Sequence, residues 1–120
     1  MSGHTHLEAK LQRDIQLIRS KLQQMAGLVE SALKDSLKAL FKRNGQLAYA
    51  VILRDQKIDE YEKEIDQLCL EFLVRQQPVA GPLRFVYATI KINLELERIG
   101  DYAESIARRG LVLNSLNLDL

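Results

Sequence analysis

The chain has 120 residues, 47% of them hydrophobic, with 17 Lys+Arg against 16 Asp+Glu, one Cys, two Pro and no Trp. A chain of this length and apolar content builds one packed domain, and a net charge of +1 argues against both wholesale disorder and a nucleic-acid-coating protein. The longest unbroken apolar run, Leu47 to Leu53, is far short of the roughly 20 residues that cross a bilayer. No membrane span is therefore expected. Met1-Ser2-Gly3-His4-Thr5-His6 lacks the positive stretch and apolar core of a secretory signal, so a cytoplasmic location is the default expectation. Cys69 alone forms no internal disulfide and no cysteine cluster for zinc or iron–sulfur, and is expected to be a small buried hydrophobe.

Helix breakers fall in two places, Asn44-Gly45 and Gln77-Pro78-Val79-Ala80-Gly81-Pro82. The first segment, about residues 6–43, carries Leu11, Ile15, Ile18, Leu22, Met25, Val29, Ala32, Ser36 and Leu40 at alternating steps of four and three. That is the seam of a long amphipathic helix. Thr5 and Glu8 have capping-box spacing at its start, and Gly27 inside it points to a close helix crossing. The second segment, about 46–76, has a stripe of Leu47, Val51, Ile58, Tyr61, Ile65, Leu68 and Phe72. The third begins after Gly81, with Pro82 suited to the first helical position, and is expected to end near Gly110. Its stripe is Phe85, Ala88, Ile92, Leu96, Ile99, Ala103 and Ile106. No window alternates with the two-residue period of a strand. The expected fold is all-α, an antiparallel up-down-up three-helix bundle over 1–110, with 111–120 as a leucine-rich tail lying on an apolar surface or on a second chain.

On the third helix a separate line starts apolar at Leu83, Val86 and Ile90 and turns acidic through Asn93, Glu97, Asp101 and Glu104. Glu97 and Asp101 lie one helical turn apart, where two carboxylates repel each other or share a hard cation through oxygen ligands. The second helix repeats the pattern with Asp55, Asp59, Glu62 and Asp66. If the two helices pack side by side, both lines face one region and supply several carboxylates to one or more cations. The alternative is that both lines are solvated faces paired with Lys57, Lys63, Arg98 and Arg108. His4 and His6 read as tail residues, and Tyr49, Tyr61, Tyr87 and Tyr102 as core or rim packing. Gly100 signals close helix approach beside the carboxylates. With no histidine beyond residue 6 and no glycine-rich phosphate loop, no catalytic or cofactor-binding residue is assigned.

The stretch Leu94-Glu95-Leu96-Glu97-Arg98-Ile99-Gly100-Asp101-Tyr102-Ala103 resembles the signature of the PhoU family of phosphate-transport regulators. Met25-Ala26-Gly27-Leu28-Val29-Glu30, the segment from Asp55 to Ile65, and Arg75-Gln76-Gln77-Pro78-Val79-Ala80 are similar too, so the resemblance runs from about Leu7 to Arg109. It implies a three-helix unit whose Glu-x-x-x-Asp motif, here Glu97 and Asp101, binds iron, zinc or another divalent ion, with Asp55, Asp59 and Glu62 where the family also places acids. It implies further a non-enzymatic, cytoplasmic negative regulator of phosphate uptake and of the phosphate-starvation response. The implied partners are the transporter's ATPase subunit and a sensor histidine kinase. Three features depart from the family pattern. Pro82 stands where an acid is common, Tyr102 where histidine is frequent, and one repeat is present where the family usually carries two. A homodimer rebuilding a six-helix arrangement follows as an expectation. Two other classes compete: a structural helical adaptor without metal, and a metal-carboxylate oxidase of the bundle kind. The oxidase requires Glu-x-x-His pairs that this sequence lacks.

Overall fold

The structure, a computed structural model, describes the backbone of residues 2–117 and the side chains of residues 6–117. Three helices follow one another: α1 (Ser2–Lys42), α2 (Gly45–Gln76) and α3 (Ala80–Ser115). Each packs on both others in an all-α up-down-up bundle, a rod of 70 × 18 × 17 Å. No strand occurs among the described residues.

The breaks fall where turn chemistry puts them. Arg43 turns left-handed at φ 54°, and the Asn44 N–H donates to the Ala39 carbonyl at 2.9 Å, closing α1. Asn44 then caps α2, its Oδ1 accepting from the Leu47 N–H at 3.0 Å. Gln77, at φ 44°, closes α2 by donating its N–H to the Leu73 carbonyl at 3.2 Å. Pro82 falls in the first turn of α3, two residues inside its start, where the missing N–H still costs nothing. Thr5 lies within α1, which begins at Ser2, so it is not the residue at which the helix starts.

The α1 seam is as expected: Ile15, Ile18, Met25, Val29, Ala32 and Ser36 are buried, while Leu11, Leu22 and Leu40 are half-buried. The α2 stripe is likewise inward, with Val51, Ile58, Ile65 and Phe72 buried. Cys69 is fully buried beside them, and burial, with the Asp66 carboxylate second, pushes its thiol up to about 11. Gly27 is a correction. It is exposed, and a Cβ there would meet nothing within 4 Å, so it marks no helix crossing. Of the tyrosines only Tyr61 packs at the rim, its hydroxyl donating to Gln24 Oε1 at 2.9 Å, whereas Tyr49, Tyr87 and Tyr102 are exposed.

The largest departure is in α3. The buried line is Val86, Thr89, Asn93, Gly100, Ala103, Ala107 and Gly110, displaced by one residue along most of the expected stripe. Ala88, Ile92 and Ile99 are exposed. The cause is size: a line containing Gly100, Ala103, Ala107 and Gly110 lets α3 approach its neighbours closely, and close approach outweighs the larger side chains of the expected stripe. A Cβ on Gly100 would stand 3.1 Å from Ile58 Cγ2, and one on Gly110 3.4 Å from Leu40 Cδ1. Gly110 is therefore a packing position, not a stop, and α3 continues to Ser115. The first tail residue, Leu111, packs on the core beside Gly45. Leu118, Asp119 and Leu120 lie outside the described residues.

Candidate metal centre

The rotation of α3 by one residue also turns its acidic line toward α2. Asp55, Asp59 and Asp101 each offer a carboxylate oxygen, and these oxygens lie within 4.8 Å of one another. Asp55 is deepest at 8% exposure, Asp59 is half-buried and Asp101 faces solvent. The cluster has a floor and an open side. Gly100 makes the floor possible, since its missing side chain leaves room beside Asp55 Oδ1, 3.5 Å from where a Cβ would stand.

Glu62 and Glu97, the other two residues assigned from sequence, are half-buried and lie outside that three-oxygen group. They are nevertheless part of the same electrostatic unit. Burial first, then repulsion from and hydrogen bonding to Asp101 and repulsion from Asp59 and Glu62, raise the Glu97 carboxyl above its ordinary value. Burial, then hydrogen bonding to Asp66 and repulsion from Asp66 and Asp59, raise Glu62. Asp59 is raised by burial and by Asp101, partly offset by Lys63.

Asp55 moves furthest, to about 7, through burial first and then through Glu104, Asp59 and Asp101. Glu104 is lowered, chiefly by its hydrogen bond with Asp55 and further by Arg108, whose Nε donates to Glu104 Oε1 at 3.0 Å. Below about pH 7 the proton of this pair therefore sits on Asp55, with Glu104 as its acceptor. Glu104, three residues beyond Asp101 on the same line, was visible in the spacing but was not assigned to the site. Asn93 lies on the same line, but a neutral amide has no charge by which spacing alone marks it as part of a carboxylate site.

Two features fit a hard cation. The donor set is all oxygen, as such ions require. Asp55 Oδ1 is buried without a hydrogen-bond partner, a costly state that a cation or a proton-bearing group relieves. His6, exposed on α1 at the end of the bundle that carries the α2–α3 turn, is not part of this cluster. The side chain of His4 lies outside the described residues.

The raised carboxyls have a consequence for stability. Asp55 has an ordinary pKa of 3.8 and a folded value of about 7, so the folded state holds a proton that the unfolded chain releases. That contribution is complete below pH 4, falls as pH rises and is gone above about 7. Cation-free protein is expected to be more stable to urea at pH 5.5 than at pH 8, by about 1 to 2 kcal/mol. A divalent cation at saturating concentration is expected to remove that fall, because it binds the deprotonated carboxylates.

Three antiparallel helices with a carboxylate cluster built across two of them define a helical-bundle protein with a candidate cation site. A family model described as PhoU domain matches residues 22–110. The chain belongs to the PhoU family. It is 39% identical over 106 residues to the phosphate-specific transport system accessory protein PhoU of Serratia marcescens, covering 88% of this chain and 44% of that protein. The PhoU homolog of Pseudomonas putida is 38% identical over 108 residues, covering 90% of this chain and 42% of that one. PhoU of Escherichia coli K12 is 35% identical over 106 residues, covering 88% and 44%. The chain spans less than half the length of these relatives.

Proposed function

We propose that this protein regulates phosphate transport and, with it, the response to phosphate starvation, by docking on protein partners and not by turnover. The observation that carries the proposal is the PhoU-family match over residues 22–110, within which Asp101 of the Glu97 and Asp101 motif lies against Asp55 and Asp59. In this reading Asp55, Asp59 and Asp101 hold a divalent or trivalent cation such as iron or zinc, with Glu62 and Glu97 able to complete or extend the set. Bound there, the cation offsets the repulsion between the acidic lines of α2 and α3 and makes the cluster a rigid surface feature.

The partners that fit are a phosphate transporter's ATPase subunit and a sensor histidine kinase in the cytoplasm. No described helix is long and apolar enough to cross a membrane, which is compatible with that placement. Self-association as a homodimer is supported by the large apolar side chains left open on α3, with Ile92 46%, Leu94 46% and Ile99 38% exposed. A monodisperse monomer in light scattering contradicts that part.

A second reading is a helical adaptor that needs no metal: with Asp55 raised and Glu104 lowered, a proton held between them relieves part of the repulsion without a cation. One complementation experiment distinguishes the readings. In a bacterial strain whose own PhoU gene is deleted, the protein is expected to restore repression of a phosphate-starvation reporter in high phosphate. An Asp59→Asn, Asp101→Asn variant that folds but fails to repress supports the metal-bearing regulator, and full repression by it supports the adaptor. No repression by wild type at matched expression contradicts the regulatory proposal.

A further inference from the structure

Asn93 is the largest polar side chain in the bundle with no exposed surface, at 0%. It lies on α3 one turn before Glu97 and reaches across to α2. Its Nδ2 donates to the main-chain carbonyl of Glu62 at 2.9 Å and to Asp66 Oδ1 at 3.2 Å. Both acceptors are oxygens, so the amide orientation is settled: reversing it would set oxygen against oxygen. The other half of the amide is orphaned, since Asn93 Oδ1 is buried with no partner.

For stability alone this is a poor arrangement. A buried amide satisfied on one side carries the desolvation cost of the other, and a leucine of the same branching would avoid it. What the amide does instead is tie the turn of α2 that bears Glu62 and Asp66 to the turn of α3 that leads to Glu97. That is where the helices need a tie, because Glu62 and Asp59 on α2 repel Glu97 on α3, and Asp59 repels Asp101, which pushes the two helices apart there.

We propose that Asn93 is a positioning residue for the cation site: its two hydrogen bonds hold the carboxylate lines of α2 and α3 at ligating separation before a cation arrives. The inference rests on the cation reading of the cluster and deepens it. It assigns to a neutral residue the preorganisation that Asp59, Glu62, Glu97 and Asp101, repelling one another across the two helices, cannot supply themselves.

The test uses the whole chain and Mn²⁺ alone, with calorimetric titration at pH 7.5. Asn93→Leu is expected to weaken Mn²⁺ binding at least tenfold while helix content and the melting temperature of the cation-free protein stay at or above wild type. A merely structural role predicts the reverse, a lower melting temperature with affinity unchanged. Thr89→Val, one turn away on the same buried line, serves as the control, because the Thr89 hydroxyl donates to Phe85 O within its own helix at 2.8 Å. Its affinity is expected to match wild type.

If Asn93→Leu does not fold, the contrast between Asp66→Asn and Asp66→Ala decides. Both remove the charge, but only alanine removes the acceptor of the Asn93 amide, so alanine is expected to bind Mn²⁺ several-fold more weakly than asparagine. Equal affinities in that pair, or wild-type affinity in folded Asn93→Leu, overturn the positioning role and leave the cation site standing. No Mn²⁺ binding by wild type overturns both.

Discussion

Replacing Asp59 and Asp101 together with asparagine is expected to weaken Mn²⁺ binding at least a hundredfold and, at the same time, to raise the stability of the cation-free protein. Their oxygens lie within 4.8 Å of each other and of Asp55. At that separation two unit charges repel by about 1 to 3 kcal/mol for an effective dielectric between those of bulk water and a protein surface. Because Asp101 is exposed and Asp59 only half-buried, solvent screening keeps the realised gain near the low end, about 1 kcal/mol. Affinity moves the other way, since the variant retains one charged ligand of three. Urea unfolding in chelator and Mn²⁺ titration measure the two halves. Opposite signs mark a functional cluster, whose ligands are retained at a cost in stability. A loss of stability with the charges removed would show that the acids are structural.

Gly100→Val is expected to destabilise by about 2 to 3 kcal/mol and to weaken cation binding with it. Its Cβ would lie 3.1 Å and 3.2 Å from Ile58 Cγ2 and Cδ1, and Ile58 is itself 1% exposed with little room to move. The two further methyls of valine must displace Ile58 or push α3 off α2, and either motion disturbs Asp55, one turn from Ile58. Gly100→Ala is the informative comparison. It gains about 1 kcal/mol of helix propensity against a tight but single contact, so its net effect is expected to fall within about 1 kcal/mol of zero. Equilibrium unfolding of both variants, paired with Mn²⁺ titration, gives the result. Valine behaving like alanine would mean that the α2–α3 contact is looser than the packing around Gly100 implies.

The all-α class and the seams of α1 and α2 were legible in the sequence because large apolar residues at helical spacing mark the buried face there without competition. Ile15, Ile18, Met25 and Val29 have no rival stripe on α1. On α3 two readings compete, and the wrong one is the more hydrophobic. Ile92 and Ile99 outscore Asn93 and Gly100 by any measure of apolarity, yet the smaller residues are inside. Packing there is set by how near two backbones come, which depends on absent atoms, and hydrophobic periodicity does not register absence. Gly110 misled for the same reason, read as the end of a helix where it is the seat of Leu40.

The acidic lines themselves were plain from their spacing, and their convergence was conditional on helix packing that only three dimensions supply. Glu104 and Asn93 mark the limit of that reading. The first acts by sharing a proton across to Asp55, and the second by hydrogen bonds across to Glu62 and Asp66. Neither relation has a signature within a single helix.

The most direct test of the cation site is elemental analysis of untagged protein purified without chelator, comparing wild type with a Glu97→Gln, Asp101→Asn variant shown to be folded by circular dichroism. Metal in stoichiometric amount in wild type and absent from the variant is the expected result. Wild type that holds no metal, even after incubation with iron, zinc and manganese, would contradict the account and leave the two acidic lines as solvated faces of a PhoU-family bundle.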